Sequence, residues 1–235
     1  MVKILLAVQR IEQNIQLYQS LTKDSNLDEK ITTDGIYALK EYYEFIPDIF
    51  ILDINLQNMK YIDIIDKLSL NIDEKLNYNT IWFSNIDTNY ITITNLSKIY
   101  KAFLRDYKYT DILETIYEMS NYILDKKIDK LFLKVHIPLQ INPSNHVKNA
   151  LSKCYNSPNL LGNLNNLFDL VGDDFETSGE SIRSSFRTTL KALNQRRNQN
   201  SPFAIYKFFS PEDIITPKSF LDVCTYYLKK QKNNG

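Results

Sequence analysis

Two hydrophobic patterns divide the chain. Through about residue 125, short apolar runs alternate with amphipathic stretches. Lys3–Val8 (KILLAV), Ile49–Leu52 (IFIL) and Asn79–Phe83 (NTIWF) have the length and composition of buried strands, and Lys101–Leu104 is a weaker one. Between them, Gln9–Leu21, Asp34–Phe45 and Tyr61–Leu70 have helical spacing. Thr110–Ile123 repeats Ile112, Leu113, Ile116, Met119 and Ile123 along one side. Strands alternating with helices predict an α/β domain, a parallel sheet covered on both faces, with sites at the carboxyl ends of its strands. Asp53, Ser84 and the residues after Val8 fall there.

From about Leu131 the pattern is helical only. Ser144 precedes a helix through Val147, Ala150, Leu151 and Cys154. Ser157-Pro158 is a helix start leading through NLLGNLNNLFDLV, and Asp173–Phe175 reads as a break. Ser210–Asp213 predicts a short capped helix. Thr216-Pro217 opens the last helix, Lys218–Lys230, which buries Phe220, Leu221, Cys224 and Leu228.

The most distinctive stretch is Glu176–Arg197. On a helical wheel Ile182, Phe186, Leu190 and Leu193 form one stripe. Glu180, Ser184, Arg187, Thr188, Lys191 and Gln195 fall opposite, with Arg183 on the flank. Thr177 or Ser178 is placed to cap its start, and Gly179 stands where backbone bends or approaches closely. From Arg183 to Arg197 there are five cations (Arg183, Arg187, Lys191, Arg196, Arg197) and no acid. A helix that is polar and short-chained early and basic later suits a DNA major groove, early residues at base edges and later cations at phosphates. The plainer reading is a solvated basic surface. A helix, a tight break and a second helix with a polar outer face fit a helix-turn-helix.

Charge sharpens the division. The net charge is zero over 235 residues, yet residues 1–144 carry 16 basic and 20 acidic side chains, and residues 145–235 carry 12 and 8. An acidic front and a basic back predict two domains with different partners, at residues 1–127 and 128–235. The charged run Asp125–Asp129 (DKKID) is the expected boundary. Lys130–Val135 either extends the preceding helix or opens the next domain. There is no Gly-rich phosphate loop, no catalytic constellation and no apolar run near the ~20 residues that span a bilayer. With no secretory leader pattern, the expectation is a cytoplasmic, non-enzymatic protein with Cys154 and Cys224 reduced and structural. His136 and His146 do not complete a zinc spacing with them, so no metal site is expected.

The front domain resembles the receiver domain of two-component response regulators over roughly residues 2–125. The carrying residues are PDIFILDINLQNM, Pro47 to Met59, and the end of NTIWFS. The resemblance implies a doubly wound, five-stranded parallel sheet of flavodoxin-like order. It matches Asp53 to the phosphoacceptor aspartate, Ser84 to the hydroxyl residue that senses the phosphoryl group, and Phe103 to the aromatic switch position. The departures are as informative. The acidic pair that holds Mg²⁺ beside the acceptor is replaced by Val8 and Gln9, and valine supplies no oxygen. The expected lysine after the fifth strand aligns with Asp106, or with Arg105 after a one-residue slip. Gln57, Lys60 and Tyr61 replace the usual proline and Asp-Gly. Asp53 is therefore expected to serve as a strand-end residue bonded to loop amides, without Mg²⁺ and without ordinary phosphorylation. The alternatives are a conventional phosphorylated regulator, and a new cation or ligand site built from Asp53 and Asp106.

Residues from about 131 to 232 resemble the DNA-binding domain of the sporulation-initiation master response regulator of endospore-forming bacteria, more in spacing than in identity. The match runs through LLG (Leu160–Gly162), TSGES, IRSSFRTTL and ITPKSFLDVCTYYL, with one residue missing around Asp169–Gly172. It implies an all-α helix-turn-helix domain. Carried over, Glu180, Ser181, Arg183, Ser184 and Arg187 face double-stranded DNA, while Lys191, Arg196 and Arg197 meet phosphates. Ser181 stands where the family tends to have arginine, and Arg183 where it has glutamate, so a different target sequence is expected. Paired half-sites imply a homodimer. The competing class is an interaction protein that titrates another regulator through its receiver face.

Overall fold

The structure is a computed structural model that describes residues 2–70, 80–84, 101–104, 108–139, 141–196, 209 and 213–230. The chain forms two compact units, residues 1–123 and 124–235. In the first, β1 (Val2–Ala7), β2 (Leu27–Thr32), β3 (Ile49–Asp53), β4 (Thr80–Ser84) and β5 (Lys101–Leu104) make one sheet of order β2-β1-β3-β4-β5 with every neighbouring pair parallel. Among the described residues the helices are α1 (Ile15–Thr22), α2 (Gly35–Phe45), α3 (Tyr61–Leu70) and the start of α4 (Tyr109–Lys134). The pleat sends Ile4 and Leu6 to one face, with Leu17 and Leu21 of α1 and Ile112, Ile116 and Met119 of α4. It sends Leu5 and Ala7 to the other, with Ala38 and Tyr42 of α2 and Ile64 and Leu68 of α3. Both faces are covered, which makes the sheet doubly wound, and its order reverses between β1 and β3.

Two elements differ from expectation here. The stretch Gln9–Leu21 is a 3₁₀ turn (Glu12–Asn14) followed by α1, not one helix. Strand β2, LDEKIT, does not stand out in the sequence at all. It is an edge strand, and Leu27 is its one buried side chain, so an apolar run was never required of it.

The expected boundary at DKKID is the middle of a helix. α4 runs unbroken through Lys134. Ile112, Ile116 and Met119 serve the first unit's core, and Leu124, Ile128, Leu131 and Phe132 serve the second's. Asp125 and Asp129, one turn apart, would repel each other. The Lys148 ammonium lies 2.8 Å from Asp125 Oδ2 and 2.5 Å from Asp129 Oδ1 and makes the pair tolerable.

Among the described residues the second unit is all-α: α5 (Asn142–Asn156), a 3₁₀ turn (Pro158–Gly162), α6 (Leu164–Asp174), α7 (Gly179–Arg196) and α8 (Pro217–Lys230). Cap chemistry explains the shifts from expectation. Ser157 makes no side-chain cap bond, whereas Asn163 Oδ1 accepts the Asn166 N–H at 3.2 Å, so the helix starts after Gly162 and not at Pro158. Ser144 is buried inside α5, which begins two residues earlier with Pro143 in its first turn. Of the expected Ser210–Asp213 helix, Asp213 is non-helical and the other three residues lie outside the described ones. Cys154 and Cys224 are free thiols in this core, and burial, with Asp222 nearby, pushes Cys154 up to about 12.

Candidate nucleic-acid interface and strand-end carboxylate

The break between α6 and α7 spans residues 175–178. Glu176 takes a left-handed conformation (φ 51°), and the Thr177 N–H donates to the Gly172 carbonyl at 2.9 Å. Ser178 Oγ then accepts the Ser181 N–H at 3.2 Å and caps α7. The tightest approach to backbone is at Gly172, where an added Cβ would lie 2.5 Å from the Thr177 carbonyl oxygen. At Gly179, singled out in the sequence, the nearest atom is instead the carboxylate end of Asp169.

Ile182, Phe186, Leu190 and Leu193 are buried along α7, with Phe186 stacked at a tilt on Phe168, ring centroids 5.2 Å apart. Glu180, Ser181, Ser184, Arg187, Thr188, Lys191 and Gln195 are exposed. These two faces are those of the sequence wheel. Arg183 differs from the other cations. It is half-buried, its Nη2 donates to Asn165 Oδ1 of α6 at 2.7 Å, and its guanidinium lies 5.7 Å from the centroid of the Phe168 ring. Asn165 carries no signal in the sequence pattern, because it matters only once α6 lies against α7. Glu180 faces both arginines, Oε2 at 3.3 Å from Arg183 Nε and Oε1 at 3.5 Å from Arg187 Nη1. Arg196 ends the helix, and its side chain, like all of Arg197, lies outside the described residues.

A second residue missed by sequence reasoning is His146 of α5. Its Nδ1 is 2.8 Å from Ser185 Oγ, which itself donates to the Ser181 carbonyl. Its ring meets Phe175 edge-on at 4.6 Å, and burial lowers its pKa. On the other flank of α7, a groove of about 720 Å³ runs between Arg187, Lys191 and Gln195 and the segment 213–217. Asn194 Oδ1 accepts the Ile215 N–H at 3.3 Å and holds that segment, leaving Ile214 79% exposed.

In the first unit, Asp53 closes β3 at the point where the strand order reverses, and it is 6% exposed. Its Oδ2 accepts the Gln9 N–H at 3.1 Å and its Oδ1 accepts the Asn55 N–H at 2.9 Å. Burial raises its pKa, and these bonds oppose the rise. Val8 is fully buried beside it. The loop after β3 is pinned to the start of α2. The Gly35 N–H donates to the Gln57 carbonyl at 2.9 Å, the Asn58 amide donates to the Asp34 carboxylate, and a Cβ on Gly35 would meet the Met59 carbonyl at 2.7 Å. Phe83 of β4 pairs with both Asp53 and Phe103, and Ser84 follows it. The side chains of Ser84 and Phe103, and all of Arg105 and Asp106, lie outside the described residues.

No family model matches the chain, and no curated protein matches it. Solved structures do. The receiver domain of the Francisella response regulator 1452 is 16% identical, with 51% of this chain and 96% of that chain covered, at a TM-score of 0.44. A DNA-binding response regulator of the LuxR family from Staphylococcus aureus is 17% identical, with 51% and 98% covered, at 0.44. The receiver domain of Klebsiella pneumoniae RstA in its BeF₃-activated form is 17% identical, with 50% and 97% covered, at 0.43. Among the described residues, no helix is long and apolar enough to cross a membrane.

Proposed function

We propose that the chain is a response-regulator-type transcription factor, in which a receiver-like unit works without aspartyl phosphorylation and a sporulation-type helix-turn-helix unit binds double-stranded DNA. In this reading α6 and α7 are the two helices of the motif, and α7 lies in the major groove as recognition helix. The observation that carries it is the division of α7 into a buried stripe and an exposed face holding Ser181, Ser184, Arg187, Thr188 and Lys191. Arg187 reads bases, and Lys191, Arg196 and Arg197 meet phosphates. The receiver-like unit contributes a dimer or partner surface and not a phosphoryl switch. Both Asp53 oxygens are engaged by backbone N–H groups, and Val8 offers no ligand, so the site does without Mg²⁺.

A protein partner at the receiver face is the second reading, favoured by exposed Ile36 and Tyr37 beside the pinned loop. Fluorescence anisotropy of a genomic promoter pool with unmodified full-length protein tests the first. Salt-sensitive binding that Arg187→Ala abolishes supports it. Absence of salt-sensitive binding, with stoichiometric capture of a protein partner, replaces it with the second.

A further inference from the structure

Glu180 is the one acid on α7. A carboxylate in the first helical turn is favoured by the helix dipole, but on a surface that meets phosphates it repels the ligand. Its surroundings suggest what it does there. Arg187 lies seven residues further on, about 10 Å along the axis. Its side chain nevertheless reaches back to bring Nη1 within 3.5 Å of Glu180 Oε1. Helical side chains lean toward the N-terminus, and the ion pair holds the Arg187 guanidinium over the first turns of α7. That is the end of a recognition helix that reaches base edges. The pair is exposed, with side-chain accessibilities of 68% and 66%, so water screens it and it exchanges easily. Arg183 is not available in the same way, because Asn165 and Phe168 of α6 hold its guanidinium.

Resting on the DNA-binding reading, we propose that Glu180 is a specificity-determining residue, and that Arg183 is a positioning residue that fixes α7 against α6. In the free protein the Glu180 carboxylate is shared, one oxygen toward Arg183 and the other toward Arg187. At the right site Glu180 and Arg187 part. Arg187 donates both its bonds to a guanine edge, and Glu180 accepts from the N4 amino group of a cytosine nearby. Where no amino group faces it, the carboxylate meets carbonyl oxygens, ring nitrogens and phosphates, and the contact with Arg187 is lost while only that with Arg183 remains. Glu180 thus weakens binding to DNA in general and improves discrimination, by penalising the wrong partner more than the right one.

The test uses full-length protein, the duplex that binds best from the promoter pool, single-base-pair substitutions of that duplex, and a random-sequence duplex. Glu180→Gln and Glu180→Ala are both measured. Each is expected to bind the random duplex several-fold more tightly, and to steepen the dependence of log K on log salt by about one. Each is also expected to lose about tenfold of the preference for one C·G pair while keeping its preferences elsewhere. Asn165→Ala is expected to weaken all duplexes alike. The proposal is overturned if both Glu180 variants keep every base preference, or if both bind the random duplex more weakly. Wild-type protein that binds no duplex in a salt-sensitive way removes the DNA reading itself. Wild-type selectivity that survives in both variants removes only the role of Glu180.

Discussion

Gln9 and Asp53 are joined across the sheet's reversal point by a backbone N–H that donates to Asp53 Oδ2 at 3.1 Å. The Asn55 N–H takes the other oxygen, so a buried carboxylate is held by the main chain of two loops. Burial raises the Asp53 pKa, and the bonds from Asn55 and Gln9 offset only part of that. A carboxyl whose folded-state pKa lies above its unfolded value keeps its proton longer in the native state. Its contribution to stability is therefore greatest below about pH 4 and declines as pH rises through the folded-state value. Asp53→Asn removes this titration. It also turns an NH₂ toward one of the two backbone donors, a pH-independent loss of about 1 kcal/mol. Urea unfolding followed by the single tryptophan, Trp82, should show wild type losing ground to Asp53→Asn from about pH 4 upward, then a plateau. A wild type that gains on the variant with rising pH would mean that the fold stabilises the anion.

Gly172 sets the geometry of the α6–α7 break. Gly172→Ala drives a methyl group toward the Thr177 carbonyl oxygen, 2.5 Å from where its carbon would sit. The Thr177 N–H already holds the Gly172 carbonyl, so neither backbone segment can retreat without losing that bond. The expected cost is about 2–3 kcal/mol by chemical denaturation. Gly179→Ala presses mainly on the mobile end of the Asp169 side chain, and alanine favours the helix, so its net effect should stay within about 1 kcal/mol. The reverse order of damage would contradict the described break.

The two faces of α7 should separate stability from binding. Phe186 has no exposed surface and packs on Phe168, so Phe186→Ala should cost about 3–5 kcal/mol. Lys191 is exposed, and Lys191→Ala should change stability by no more than about 0.5 kcal/mol. In anisotropy titrations the same variant should weaken every duplex alike and flatten the salt slope by about one, as the loss of one phosphate contact does. Lys191→Ala protein that binds all duplexes as wild type does would remove Lys191 from the interface.

What was legible in the sequence follows from how much burial each element needs. β1 and β3 sit in the sheet's interior and are apolar on both faces, so KILLAV and IFIL stand out. The wheel of α7 is legible because one stripe is buried and the rest is wet. β2 is hidden because an edge strand with one buried side chain needs no pattern. The DKKID run looks like a linker because its charges are local, while the lysine that neutralises two of them, Lys148, lies 19 residues or more away. Asn165 and His146 are invisible for the same reason: each acts across a helix–helix contact that no periodicity encodes. The departures at Val8 and Gln9 stand out only against the acidic pair that receiver domains carry at those positions. The pinning of Asp53 by main-chain N–H groups has no side-chain signature at all.

Lys148 is the clearest case of such a distant partner, and its removal is measurable. Its side chain is 19% exposed and bridges Asp125 and Asp129 of α4. Burial pulls its pKa down, the two carboxylates push it up, and the balance is a raised value. A lysine raised in the folded state contributes its full stabilisation below the unfolded lysine value, about 10.4, and loses it as pH rises through the folded value. Lys148→Met should therefore destabilise the second unit equally across the neutral range. Asp125 is half exposed and well screened, so the loss comes chiefly from Asp129 and amounts to about 1–2 kcal/mol. Native-state hydrogen exchange should localise the effect to α4 amides beyond Leu124, because those residues pack in the second core. Asp129→Asn in the Lys148→Met background relieves the uncompensated pair and should recover part of the protection. Equal loss of protection along all of α4 would mean that the helix opens as one unit, and that the charged run does not divide it.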